Sequence, residues 1–61
     1  MNVKIARIKK GYTQDDVCKI LRISKSTIVS IEKGNYDNIK IGLAKKIATL
    51  LDSTVQELFL N

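Results

Sequence analysis

The chain has 61 residues, of which 44% are apolar, with one Cys, no His and a net charge of +5. This length allows one small domain over residues 1–61, and the single cysteine excludes an internal disulfide and an ordinary zinc site. No apolar run is long enough to span a membrane, and the N-terminus lacks the core of a signal peptide. We therefore expect a cytoplasmic domain without metal, cofactor or small-molecule ligand.

The positive charge is concentrated in the N-terminal segment. Residues 1–36 carry eight basic and three acidic side chains, whereas residues 37–61 carry three of each. This asymmetry favours a polyanion as the partner of the first segment and a different partner for the second. The alternative is a lysine-rich surface that serves only solubility.

Five helices are predicted along the chain. Apolar residues recur at intervals of three and four, which is typical of helices and not of strands. Capping residues and helix-ending glycines divide the chain into residues 2–10, 14–21, 25–33, 39–51 and a last segment that begins at residue 55. We therefore expect an all-α fold.

Three of the predicted helices have an N-cap residue, and all five have an apolar stripe. Thr13, Ser24 and Thr54 are the expected N-caps, and Gly11 and Gly34 the expected ends of the first and third helices. The expected inward stripe comprises Val3, Ala6, Lys10, Val17, Cys18, Leu21, Ile23, Ile28, Ile31, Ala44, Ile47, Ala48, Leu51, Val55, Leu58 and Phe59.

The second and third predicted helices lie close enough in sequence to form a helix-turn-helix. In that motif the second helix enters the major groove of DNA, and its first turn faces the base edges. The outward positions of this helix are basic, hydroxylic or small, which suits a groove bounded by phosphates and bases. These positions are Lys25, Ser26, Val29, Ser30 and Lys33.

Four longer motifs extend over most of the chain. They are R-x-x-x-G-x-T-Q from Arg7, S-K-S-T-I-x-x-I-E-x-G from Ser24, K-I-A-x-x-L from Lys46 and E-L-F from Glu57. With these motifs the chain resembles the Cro/phage-repressor, or XRE-like, helix-turn-helix family. The resemblance implies a five-helix, lambda-repressor-like DNA-binding domain whose helix-turn-helix is formed by helices two and three.

Two positions depart from the family pattern. Many members have Gly in the turn between the two helices, where this chain has Arg22, so the turn is expected to be strained or differently shaped. The loop after Gly34, Asn35 to Asn38, is one residue longer than usual and lacks the common Pro.

The resemblance also implies which residues contact DNA bases. Lys25, Ser26 and Ser30 match positions that reach base edges, and a lysine there can bind guanine. Val29 lies on the same outer face and could contact a thymine methyl group. The alternatives are a phosphate contact for Lys25 and simple exposure for Val29.

A second set of residues is expected at the DNA backbone. Gln14 begins a helix, where free N–H groups favour a phosphate, and the resemblance implies that it also braces Lys25. Gln14 could instead be simply a surface residue. Tyr36 could close the core beneath its loop, and Thr27 could pack rather than bind. The expected phosphate contacts are Gln14, Thr27, Lys33, Asn35 and Tyr36.

Two structural roles complete the expectations for the first half of the chain. The resemblance implies an ion pair between Arg7 and Glu32 that ties the first helix to the end of the third. Cys18 is expected to be a small core filler. Because no nucleophile–base pair, carboxylate dyad or phosphate-binding glycine loop is present, we do not expect an enzyme.

An apolar surface in the neutral second half predicts a homodimer. Leu43 and Leu50 lie off the buried stripe of the fourth helix, and the chain ends in Phe59 and Leu60. Scattered surface leucines, which are common, are the alternative.

Two classes of function agree with these patterns. The first is a sequence-specific double-stranded-DNA-binding transcriptional regulator, of bacterial or phage origin, acting as a dimeric repressor on a (pseudo)palindromic operator. The second is a protein-binding member of the same fold, such as an antitoxin or an immunity-type partner. The charge asymmetry favours the first.

Overall fold

The regular structure consists of helices. The computed structural model describes residues 2–36 and 39–60, so Asp37 and Asn38 of the expected polar loop lie outside the described residues. Within those ranges the helices are α1 (Val3–Lys9), α2 (Gln14–Leu21), α3 (Lys25–Glu32), α4 (Ile41–Leu50) and α5 (Val55–Phe59), with no strand. The prediction of an all-α, five-helix fold is confirmed.

Side-chain caps fix where α2, α3 and α5 begin. Thr13 Oγ1 accepts from Asp16 N at 3.0 Å, and Thr13 N donates to Asp16 Oδ2 at 2.9 Å, so the capping box is complete. Ser24 Oγ accepts from Thr27 N at 3.2 Å, and Thr54 Oγ1 accepts from Glu57 N at 3.0 Å. These three predicted caps are confirmed.

The fourth helix begins two residues later than the sequence predicted. Lys40 occupies its N-cap position and makes no side-chain cap bond, because an ammonium group can only donate. The predicted start at Ile39 had no capping residue to define it. The predicted end at Leu51 is one residue late, since Leu51 is the C-cap.

The turn between α2 and α3 contains a left-handed residue. Arg22 has φ 57° and ψ 46°, and the following amide, Ile23 N, donates to Cys18 O at 3.1 Å. A non-glycine residue in this conformation costs about 1–2 kcal/mol. The strain expected from the absence of glycine is therefore present, and the turn closes nonetheless.

The buried side chains of the helices form one core. Its members are Val3, Ala6, Val17, Ile28, Ile31, Ala44, Ile47, Ala48, Leu51 and Leu58. The predicted stripe is confirmed for these residues, whereas Cys18, Leu21, Ile23, Val55 and Phe59 pack against the core half-buried.

The prediction for Lys10 is wrong. Lys10 is the exposed C-cap of α1, and the buried polar residue of this helix is Arg7. Arg7 tolerates burial because it donates hydrogen bonds to Glu32 and to the Tyr12 carbonyl. Lys10, at the end of the helix, keeps its charge in solvent.

The helices pack in four main pairs, α1 on α3, α1 on α5, α2 on α3 and α4 on α5. These contacts leave the outward face of α3 uncovered. Among the described helices, none has the length and apolarity needed to cross a bilayer.

Candidate nucleic-acid interface

The outward face of α3 carries the residues predicted to contact bases. Lys25, Ser26 and Ser30 are exposed, as a residue that contacts a base must be, whereas Val29 is half-buried against the core. Only part of the Val29 side chain is therefore accessible to a thymine methyl group. Their helix is anchored by Ile28 and Ile31, both buried on its opposite side.

A groove runs beside α3 and brings several predicted DNA contacts together. Ser26, Thr27, Ser30 and Asn35 line it, and Ile31, Ile39 and Leu43 supply its apolar part. Leu43, which was predicted at a dimer interface, thus lies next to the proposed DNA-binding face.

The first turn of α3 has its hydroxyl groups engaged. Ser24 Oγ lies 2.8 Å from Thr27 Oγ1 and 3.1 Å from Ser26 Oγ. Thr27 is half-buried, so this arrangement favours packing as its main role. Ser26 is exposed and its hydroxyl can rotate toward a base or a phosphate.

Lys25 is held by an acidic residue of α2. Lys25 Nζ donates to Asp15 Oδ1 at 2.8 Å, with 54% of the lysine side chain and 72% of the aspartate side chain exposed. The hydrogen bond and the opposite charge raise the pKa of Lys25 and lower the pKa of Asp15, which Lys19 lowers slightly further. Both groups are therefore ionised at neutral pH.

The expected bracing of Lys25 by Gln14 is corrected by this geometry. Gln14 Nε2 donates to Glu32 Oε1 at 2.9 Å, at the far end of α3. The side chain that contacts Lys25 is Asp15, which accepts a hydrogen bond from Lys25 Nζ. The reason is that Gln14 and Glu32 face the interior between α1, α2 and α3, where a carboxylate needs more than one donor. Gln14 stays at the N-terminus of α2, half-buried.

A buried ion pair fixes α3 to α1. Arg7 Nε donates to Glu32 Oε2 at 2.7 Å, and the two side chains are 10% and 5% exposed. Another guanidinium nitrogen of Arg7 donates to the carbonyl oxygen of Tyr12 at 2.7 Å. Together with Gln14, these bonds join the end of α3 to α1 and to the start of α2.

Tyr36 packs against the C-terminal helix. Its ring lies edge-to-face on Phe59, with centroids 5.0 Å apart and an angle of 85°, and both residues are half-buried. This contact favours the interpretation of Tyr36 as closing the core. It also gives Phe59 an internal partner that the sequence prediction of a dimer contact did not include. Lys33 and Asn35 are exposed just beyond α3.

The four predicted dimer residues do not share one environment. Leu43 and Leu50 are half-buried in different grooves, the second lined by Leu21, Lys45, Lys46 and Thr49. Leu60 is 72% exposed. Ile41, at the first position of α4, is 65% exposed and was not among the predicted exposed apolar residues, because it was expected to lie inside a longer helix.

The role of Asp15 as the partner of Lys25 was not predicted from the sequence. Ten residues separate Asp15 from Lys25, and only the crossing of α2 and α3 brings the two side chains together. The one available signal was its place in the first turn of α2, where an acidic residue also stabilises the helix.

Comparisons with known proteins agree with this architecture. The HTH_3 family model, described as helix-turn-helix, matches residues 3–58. An uncharacterized HTH-type transcriptional regulator of Archaeoglobus fulgidus is 39% identical over 88% of this chain and 76% of its own length. Another, from Methanocaldococcus jannaschii, is 38% identical over 95% of this chain and 86% of its own length. No solved structure matches the chain.

These relatives refine the sequence predictions. Both come from archaea, so they do not support the expected bacterial or phage origin. The family is one of DNA-binding transcriptional regulators and not of enzymes, which confirms the broad functional prediction. The chain belongs to the XRE-type helix-turn-helix family.

Proposed function

We propose that this protein is a sequence-specific repressor that reads double-stranded DNA through the outward face of α3. The observation that carries the proposal is the exposure of Lys25, Ser26 and Ser30 on a helix whose other side is buried. Such a helix presents donors to a groove in a fixed orientation, and a lysine can donate to guanine O6 and N7. The relatives named as transcriptional regulators support a role in transcriptional regulation.

Phosphate contacts at both ends of this face orient the domain on DNA. Gln14 uses one amide hydrogen for Glu32, and its second hydrogen remains for a phosphate at the N-terminus of α2. Lys33 and Asn35 supply the backbone contacts beyond α3, with Thr27 and Tyr36 in supporting positions. The net charge of the first 36 residues strengthens attraction to any duplex.

A homodimer through α4 and α5 extends the proposal to a (pseudo)palindromic operator. Leu60 is the most exposed of the predicted interface residues, with Leu43, Leu50 and Phe59 around the same two helices. Two copies of α3 on one side of a duplex would meet successive major grooves. The half-sites are then about 10–11 bp apart, centre to centre, or a multiple of that.

Selection of bound duplexes from a random library tests this function. The expected result is a repeated motif with the half-site spacing given above, together with affinity that falls steeply as salt is raised. Failure to bind any duplex at low salt would contradict the proposal. It would favour the alternative of a domain whose main ligand is another protein.

A further inference from the structure

The contact between Lys25 and Asp15 places a negative charge beside a residue proposed to read DNA. Lys25 begins α3, and Asp15 lies in the first turn of α2, whose N-terminus is proposed to hold a phosphate. A carboxylate here weakens attraction to the DNA backbone. Stabilisation of α2 does not require it, because Asp16 already supplies both the capping-box acceptor and an acidic side chain in that turn.

We infer that Asp15 is a specificity-determining residue, which keeps Lys25 from gripping phosphates and directs it to a base edge. This inference rests on the proposed function of α3. A lysine ammonium has three N–H donors. With one donor held by Asp15, two remain, which matches the two acceptors, O6 and N7, that one guanine presents in the major groove.

The same contact disfavours the alternative of a phosphate partner for Lys25. A phosphate within reach of Lys25 Nζ would also lie close to the Asp15 carboxylate, 2.8 Å from that nitrogen, and two like charges side by side repel. A neutral base edge carries a smaller penalty, because its acceptors O6 and N7 bear only partial charges. Asp15 therefore lowers the affinity for duplexes that lack the correct base opposite Lys25. It leaves the affinity for duplexes with that base nearly unchanged.

Because the pair is exposed, Lys25 can turn toward a base when DNA binds. With 54% and 72% of the side chains exposed, the two groups can separate or reorient without exposing a core. Asp15 thus acts as a positioning residue through Lys25, and the effect of removing it should vanish when Lys25 is absent.

Matched variants separate this role from a simple change of net charge. Asp15→Asn removes the carboxylate charge from the contact. Asp16→Asn removes the same charge from the next residue and keeps an oxygen that can accept from Thr13 N. Asp52→Asn removes it from an exposed turn between α4 and α5, where asparagine tolerates the positive φ of 55°.

Equilibrium binding to the selected site and to a random duplex, over a range of salt concentrations, tests the inference. Asp15→Asn should bind the random duplex about 1.5- to fivefold more tightly, with a salt slope steeper by about 0.9, as expected for one new phosphate contact. Its ratio of specific to random affinity should fall. The two control variants should change both affinities by similar factors and keep the wild-type salt slope.

The background Lys25→Ala completes the test. In that background, Asp15→Asn should change random-duplex affinity no more than Asp16→Asn does. The inference is overturned if Asp15→Asn keeps the wild-type ratio of affinities, or if its effect persists without Lys25. If the wild-type chain binds no duplex, the proposed function fails and the inference fails with it.

Discussion

The buried pair of Arg7 and Glu32 should control the stability of the whole domain. Glu32→Gln keeps the shape of the side chain and an acceptor oxygen, and removes the charge that two donors, Arg7 and Gln14, now share. Both carboxylate oxygens now accept, so the NH2 group of the new amide must face a donor of Arg7 or of Gln14, and one of these two residues loses its acceptor. Arg7 keeps the Tyr12 carbonyl. Because charge-assisted hydrogen bonds are about twice as strong as neutral ones, we expect a loss of about 1–2 kcal/mol of unfolding free energy.

Truncation of the whole Glu32 side chain should be more severe. Breaking a buried ion pair from one side costs about 3–5 kcal/mol, and a chain of this size has about 3–5 kcal/mol in total. Glu32→Ala should therefore be largely unfolded at room temperature. Arg7→Met combined with Glu32→Leu removes both charges, and this double variant should recover most of the stability lost by either single substitution.

Urea denaturation followed by circular dichroism measures these differences. At a slope of about 1 kcal/mol per molar urea, Glu32→Gln should lower the midpoint by about 1–2 M. Because a single variant that breaks the pair is largely unfolded, the double-mutant cycle gives a lower limit of the coupling energy. This limit should exceed about 1 kcal/mol and change little in 1 M salt, because the pair is shielded from solvent. A coupling energy indistinguishable from zero, or a midpoint unchanged in Glu32→Gln, would refute this reasoning.

Four further expectations concern the turn, a cap, the dimer and pH. Arg22→Gly should raise the unfolding free energy by up to about 1 kcal/mol, since glycine accepts φ 57° without strain; a lower midpoint in urea would contradict this. Thr13→Ala should lower it by about 1 kcal/mol by removing the capping box of α2, which thermal melts would detect. Leu60→Asp should weaken the homodimer in sedimentation without lowering monomer stability, whereas Ile8→Asp, a similarly exposed site on α1, should leave the dimer intact. A wild-type chain that sediments as a monomer at all concentrations would exclude the free dimer. Finally, duplex affinity should stay nearly constant from about pH 6 to about pH 9. The contact between Lys25 and Asp15 is lost only when pH falls through the lowered pKa of Asp15 or rises through the raised pKa of Lys25. A titration of affinity within that range would show that another group controls binding.

Local signals made the helices and caps predictable. Thr13 and Ser24 each cap a helix through an amide only three residues away, so sequence spacing alone determines the contact. The start of α4 has no such residue, and its predicted boundary was wrong. Lys10 was placed inward for a related reason, because helical spacing identifies a face but not the partners that make burial of a charge tolerable.

Contacts between helices were less predictable. Eighteen residues separate Gln14 from Glu32, and the hydrogen bond between them depends on how α2 crosses α3. The ion pair of Arg7 and Glu32 was anticipated only through resemblance to a family, since spacing does not determine their distance. The contact of Tyr36 with Phe59 depends in the same way on where the loop after α3 meets α5.

Lys25→Ala is the variant that distinguishes base contacts by α3 from phosphate contacts. Binding constants would be measured on the selected site and on a copy in which the G·C pair assigned to Lys25 is changed. The control is Lys45→Ala, which removes the same charge from an exposed position of α4. If α3 contacts bases, Lys25→Ala should lose about 5- to 150-fold in affinity on the selected site and much less on the altered copy. Lys45→Ala should lose equally on both. An equal loss on both duplexes for Lys25→Ala would show that Lys25 contacts a phosphate, and the assignment of a base contact to Lys25 would then be wrong.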